Sequence, residues 1–266
     1  MREQQEQQKD IIPLPQYSLS KILLVWAAAA IPMGILGWVV APALANLSQT
    51  PVLIRSAVLL VGLVWQFVLV MILLYREAGN LRWSTIRQRL WLTAPRSPQT
   101  GEPRRRLWWW LVPTILLTVV VQLQLMPPLA HLSVSWFPFL AEAQRGFDLR
   151  TLLATQKLVG AWNVLGVFVL LALFNTVLGE ELLFRGFLLP RMAGVFGKAD
   201  WVMNGLLFGL YHLHQPWDIL GSVMVGGIFA FPGRRFRCAW FGIVAHSLQS
   251  VYLSLLILAL VLNLAH

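Results

Sequence analysis

The sequence predicts an all-α protein, a polytopic membrane bundle with about seven to eight transmembrane or membrane-embedded helices. Three observations predict it. Hydrophobic residues make up 58% of the 266 residues and charged residues only 12%, about half the charged share of a soluble domain. The mean hydropathy is +0.67. The apolar residues fall into runs long enough to cross a bilayer, which takes about 20 residues of helix. The 13 tryptophans fit the same picture, because Trp collects where one edge of its ring is wet and the other apolar.

Residues 1–18 are polar and Gln-rich and lack the basic start and short apolar stretch of a cleavable leader, so they read as a disordered cytosolic tail. The first two apolar runs cover 19–47, with Pro32 and Pro42, and 52–75. A basic stretch over 76–106, with Pro95, Pro98 and Pro103, reads as a flexible cytosolic connector. The remaining 107–266 reads as one helical bundle without internal repeats. It contains long runs at 107–126, 158–178 and 239–264. The runs at 201–211 and 219–231 are too short to cross ~30 Å of hydrocarbon unaided, so they read as core or cavity-lining helices.

The net charge of +10 is carried in loops between the apolar runs. That placement argues against a nucleic-acid partner and for the bilayer as the partner. With the N-terminus in the cytosol and sides alternating, sixteen Lys and Arg fall on the cytosolic side and four on the other. This asymmetry follows the positive-inside rule. The single cysteine, Cys238, forms no intramolecular disulfide.

The chemistry concentrates on Glu180-Glu181-Leu-Leu-Phe-Arg185, which follows an apolar run. A charge at membrane depth costs about 2.5–3.5 kcal/mol on insertion scales, so such acids are functional candidates by default. On an α-helix Glu181 and Arg185 are four apart, in the acid-before-base order that pairs best, while Glu180 points about 100° away without a local partner. Asn204, Phe208 and His212 form a second stripe at four-residue spacing, and His246 and Ser250 share a face of the last run. Asn204 and Phe208 are expected to line a cavity with the histidines. His214, two residues past His212, is expected to face elsewhere before Pro216 ends the helix; His131 and His266 are weaker candidates. A buried carboxylate can take a proton from water beside an orienting histidine, and a second histidine with a nearby hydroxyl can donate to an oxyanion. The His-Glu-x-x-His zinc signature is missing. No metal is expected, although Glu180, His212 and His246 could chemically form a zinc site.

At these residues the sequence resembles the CPBP family of intramembrane proteases, which includes the eukaryotic CAAX prenyl endopeptidases and many bacterial relatives. Glu180-Glu181-Leu-Leu-Phe-Arg185-Gly186 resembles the Glu-Glu-x-x-x-Arg motif and Phe208-Gly-Leu-Tyr-His212 resembles Phe-x-x-x-His. His246-Ser-Leu-Gln-Ser250 occupies the place of His-x-x-x-Asn/Asp, with serine as a departure. The resemblance covers about residues 158–262. It implies an intramembrane endopeptidase in which Glu180 activates water with His212, His246 supports the oxyanion with Ser250, and Arg185 holds Glu181. It also implies a membrane-associated protein or peptide substrate, lipidated or not, and a bacterial plasma membrane as the setting. The site is expected near the cytosolic side. The family includes members described as metalloproteases and as metal-independent glutamic peptidases.

A second class fits the same residues: an inactive scaffold or immunity partner, or a proton-linked transporter using the buried Glu and His groups. Ser250 keeps that class open. The lack of a repeat and of a continuous polar path across the long helices argues against it.

Overall fold

The computed structural model describes residues 14–47, 50–145 and 158–264. Helix α1 runs Leu19–Ala45, α2 Pro51–Ala78, α3 Trp83–Arg89, α4 Arg105–Trp136, α5 Leu140–Arg145 and α6 Trp162–Arg191. They are followed by α7, Asp200–Tyr211, α8, Ile219–Phe236, and α9, Trp240–Val261. Five of these, α1, α2, α4, α6 and α9, are long and apolar enough to cross a membrane. Leu24, Val39, Val61, Leu116 and Leu123 are exposed along them, as a lipid-facing surface requires. Exposed tryptophans mark both ends, Trp83 and Trp109 at one and Trp136 and Trp162 at the other.

Local chemistry explains where the helices begin and bend. The Ser18 hydroxyl accepts the Lys21 N–H at 3.3 Å to cap α1. Pro51 opens α2, and Gly79, at φ +70°, closes it with its N–H on the Tyr75 carbonyl. Three long helices contain a wide π-helical stretch that ends two residues before a proline: Leu36–Val40 before Pro42, Val121–Leu125 before Pro127, and Leu182–Leu188 before Pro190. Proline lacks an N–H and crowds the carbonyl four residues back, so the preceding N–H reaches five residues instead. Ala41 thus bonds Leu36 and Leu189 bonds Phe184.

Helices α7 and α8 form an antiparallel pair at backbone-to-backbone distance. A Cβ on Gly205 would sit 2.6 Å from the Gly227 nitrogen, and one on Gly209 2.8 Å from the Val223 nitrogen. Small residues permit this approach where burial from water gives no drive between helices.

The basic helix ends are fastened together. Tyr17 donates its N–H to the Arg191 carbonyl at 2.9 Å and its hydroxyl to Glu77. The buried Arg191 guanidinium holds Glu77 with two nitrogens, at 2.7 and 3.0 Å, and Arg89 adds a third contact at 3.4 Å. Asp200 pairs with Arg234. Tyr17 is therefore buried rather than part of a loose tail, and the Gln16 amide donates to the Pro190 carbonyl at 3.1 Å; residues 1–13 lie outside the described part. The 76–106 connector is similarly tied down. The Arg96 N–H bonds the Phe236 carbonyl, the Ala239 N–H bonds the Trp91 carbonyl, and Leu90 and Leu92 join the main core. At the opposite end the Gly160 N–H bonds the Val261 carbonyl. Arg150, Lys157 and His266 lie outside the described residues.

Candidate active site

Glu180 and Glu181 sit between two π-helical stretches of α6, Phe174–Gly179 and Leu182–Leu188. Such widening recurs at functional sites because it turns successive side chains out of α-helical phase. Both acids and Arg185 are buried. The expected Glu181–Arg185 pair forms, with Arg185 Nη1 at 3.1 Å from Glu181 Oε1. Arg185 also donates through Nη2 to the Gly226 carbonyl at 3.1 Å, and its guanidinium lies 4.1 Å from the centre of the Phe208 ring. Phe208 is thus a cation–π platform for this arginine as well as a wall of the cavity.

His246 takes the same carboxylate, with Nδ1 at 3.1 Å from Glu181 Oε1. The sequence grouped His246 with Glu180; its ring is instead anchored on Glu181 and packed 5.4 Å from Phe229. Glu180 stands apart. It faces a cavity of about 340 Å³ that His212, His246 and Ser250 also line, and its Oε2 has no hydrogen-bond partner among the described residues. The Tyr211 hydroxyl accepts from the buried Gln66 amide at 2.5 Å.

His212 Nδ1 lies 2.9 Å from the Phe208 carbonyl. A carbonyl only accepts, so Nδ1 carries the proton and Nε2 of the neutral ring is an acceptor. His214 also lines the cavity and stacks on His212, with centroids 5.5 Å apart. The expectation that it faces elsewhere assumed a continuing α-helix. Helix α7 ends at Tyr211, and His212–His214 form a 3₁₀ turn that brings both rings together. Asn204, expected on the cavity wall, lies outside it: its amide donates 2.8 Å to the Phe184 carbonyl and ties α7 to the widened α6.

Tyr211 and Gln66 were missed by sequence reasoning. Gln66 had a readable signal, a lone amide in the middle of the apolar α2. Tyr211 had none, because a tyrosine in an apolar helix carries no mark of its partner.

Residues 161–252 match the family model described as Type II CAAX prenyl endopeptidase Rce1-like. This segment is an Rce1-like domain. The match covers 92 of the 266 residues and contains all three motifs. No curated protein and no solved structure matches the chain. The Rce1-like segment begins at the start of α6 and ends within α9; Gln66, on α2, is supplied from outside it.

Proposed function

We propose that the protein is an intramembrane endopeptidase that hydrolyses a peptide bond in a membrane-associated protein or peptide, with Glu180 as the general base. The observation that carries this reading is the division of labour between adjacent acids. Glu181 Oε1 is engaged by Arg185 and His246, whereas Glu180 lines the cavity and Glu181 does not.

The hydrogen-bonding capacities support a sequence of steps. A water molecule has two protons to donate, and the Glu180 carboxylate and the His212 Nε2 are two acceptors on one cavity. As the water oxygen attacks the scissile carbonyl carbon, its proton passes to Glu180, and the carbonyl π-electrons move onto oxygen. His246, held through Nδ1–H by the Glu181 carboxylate, donates from Nε2 to that oxyanion when it is an imidazolium. The Ser250 hydroxyl, one turn along α9, offers a second donor in place of an amide. The tetrahedral intermediate then collapses, and Glu180 returns its proton to the leaving amine.

No step runs through a metal. Among the described residues no group of three His, Cys, Asp or Glu side chains is gathered to ligate one. The same arrangement counts against a proton-linked transporter. The cavity stops at the acids, and Leu183, Phe184, Phe187, Phe229 and Phe241 fill the space towards the basic helix ends.

The test compares membranes carrying the parent or Glu180→Gln protein by proteomics of cleavage products, then repeats the assay with purified protein in proteoliposomes. Loss of a positioned base is expected to lower the rate by about 10²–10⁴-fold, with thermal unfolding unchanged and no response to chelator. Cleavage by Glu180→Gln at the parental rate would overturn the assignment.

A further inference from the structure

The direction of the cavity bears on which substrates can reach Glu180. At about 1.5 Å per residue, Glu180 lies roughly 16 Å from the Arg191 end of α6, while Phe168, also on the cavity wall, lies roughly 34 Å from it. The other walls run the same way. On α9 the lining begins at His246, roughly 9 Å from Trp240, and continues to Ser254, roughly 21 Å along. On α2 it reaches Ser56, roughly 33 Å from the Ala78 end. The dyad is therefore the floor, and the cavity extends away from the basic helix ends.

Polar side chains follow that direction. Ser56, Gln122, Asn175, Asp218, Gln249 and Ser254 line the cavity between the floor and the far ends, a composition suited to water and to a peptide backbone. The opposite direction is closed. Behind the acids lies the aromatic plug, and behind that the connector, whose Leu90 contacts α6 closely enough that a Cβ on Gly186 would lie 3.3 Å from it.

The basic ends define the sides. Among the described residues, Lys21, Arg76, Arg82, Arg87, Arg89, Arg96, Arg104, Arg105, Arg106, Arg191, Lys198, Arg234, Arg235 and Arg237 belong to the helix ends and connector joined by the Tyr17, Glu77, Asp200 and Trp91 contacts. Only Arg55 and Arg145 belong to the other end. The positive-inside rule puts the first group in the cytosol.

We propose that the cavity is fed from the non-cytosolic half of the membrane, so that the substrate is a polypeptide segment presented from that side. The substrate statement rests on the peptidase reading above; the access route does not. It reverses the sequence-based expectation of a site served from the cytosolic face.

The native cysteine allows a direct test. Cys238 is buried, and burial pushes its thiol up to about 12, so it is silent towards maleimides at neutral pH. Ser254→Cys and Ser56→Cys, on separate helices, report the far part of the cavity, and Lys198→Cys reports the basic end. Each is treated with a sulfonated, membrane-impermeant maleimide in sealed vesicles of right-side-out and inverted orientation. Lys198→Cys is expected to label from the cytosolic face only. Ser254→Cys and Ser56→Cys are expected to label at least about tenfold faster from the opposite face. Folding of each variant is checked by its thermal unfolding. Labelling of the two cavity cysteines from the Lys198 face, or from neither face, overturns the proposal, as does labelling of Lys198→Cys from the non-cytosolic face. Glu180-dependent cleavage is measured in parallel, so a failure of access is distinguishable from a failure of the peptidase reading.

Discussion

Replacing Gly242 by alanine adds a single carbon to α9 where it crosses the buried dyad. That Cβ would sit 2.2 Å from Glu181 Oε2, 3.2 Å from its Cδ and 3.3 Å from Arg185 Cγ. Ordinary contact begins near 3.4 Å, so the carboxylate oxygen or the helix must move by about 1.2 Å. The carboxylate has little freedom to do so, because Oε1 is held by Arg185 and by His246, each at 3.1 Å. Overpacking of this kind costs about 1–3 kcal/mol. A displacement of about 1 Å at a positioning group lowers turnover by roughly 10²-fold. The assay is paired: thermal unfolding in detergent, and the cleavage rate in proteoliposomes. Gly227→Ala is the control, since its Cβ would meet only a Trp201 ring carbon at 3.8 Å, and alanine favours the helix by up to about 1 kcal/mol. Gly242→Ala is expected to be destabilised and nearly inactive, and Gly227→Ala to match the parent. A Gly242→Ala protein with parental stability and rate would refute the claim that α9 positions the dyad through this contact.

Tyr211→Phe removes the hydroxyl that accepts from the Gln66 amide at 2.5 Å and leaves that buried donor unpaired. An unsatisfied buried polar group costs about 1–3 kcal/mol, so unfolding should occur at lower temperature. Unchanged unfolding would show that the Gln66–Tyr211 bond adds nothing to stability. Glu77→Ala strands the buried Arg191 guanidinium. Unpairing a buried charge costs about 3–5 kcal/mol, so unfolding should occur at markedly lower temperature, with the surviving folded fraction still active. Unchanged unfolding would show that the cluster at the basic end adds nothing to stability.

Much of the membrane architecture was legible because apolar length and loop charge are properties of single segments. The runs at 19–47, 52–75 and 239–264 correspond to α1, α2 and α9 within a few residues. The Glu181–Arg185 pair was legible for the same reason, since a four-residue separation on a helix brings side chains together whatever surrounds them. Readings that assumed one continuous α-helix failed where the backbone departs from it. His214 joins His212 because α7 gives way to a 3₁₀ turn, and Asn204 leaves the cavity to satisfy a carbonyl of the widened α6.

The sequence by itself determined that this chain is a membrane bundle with basic ends on one side, two acids at depth and two histidines downstream. Only the tertiary structure decided which acid His246 holds, that Gln66 bonds Tyr211, and which way the cavity runs. Those choices depend on contacts across 65 residues between Glu181 and His246 and 145 between Gln66 and Tyr211. They are set by how π-helical turns rotate α6 and how closely glycines let helices approach, and no local spacing encodes either.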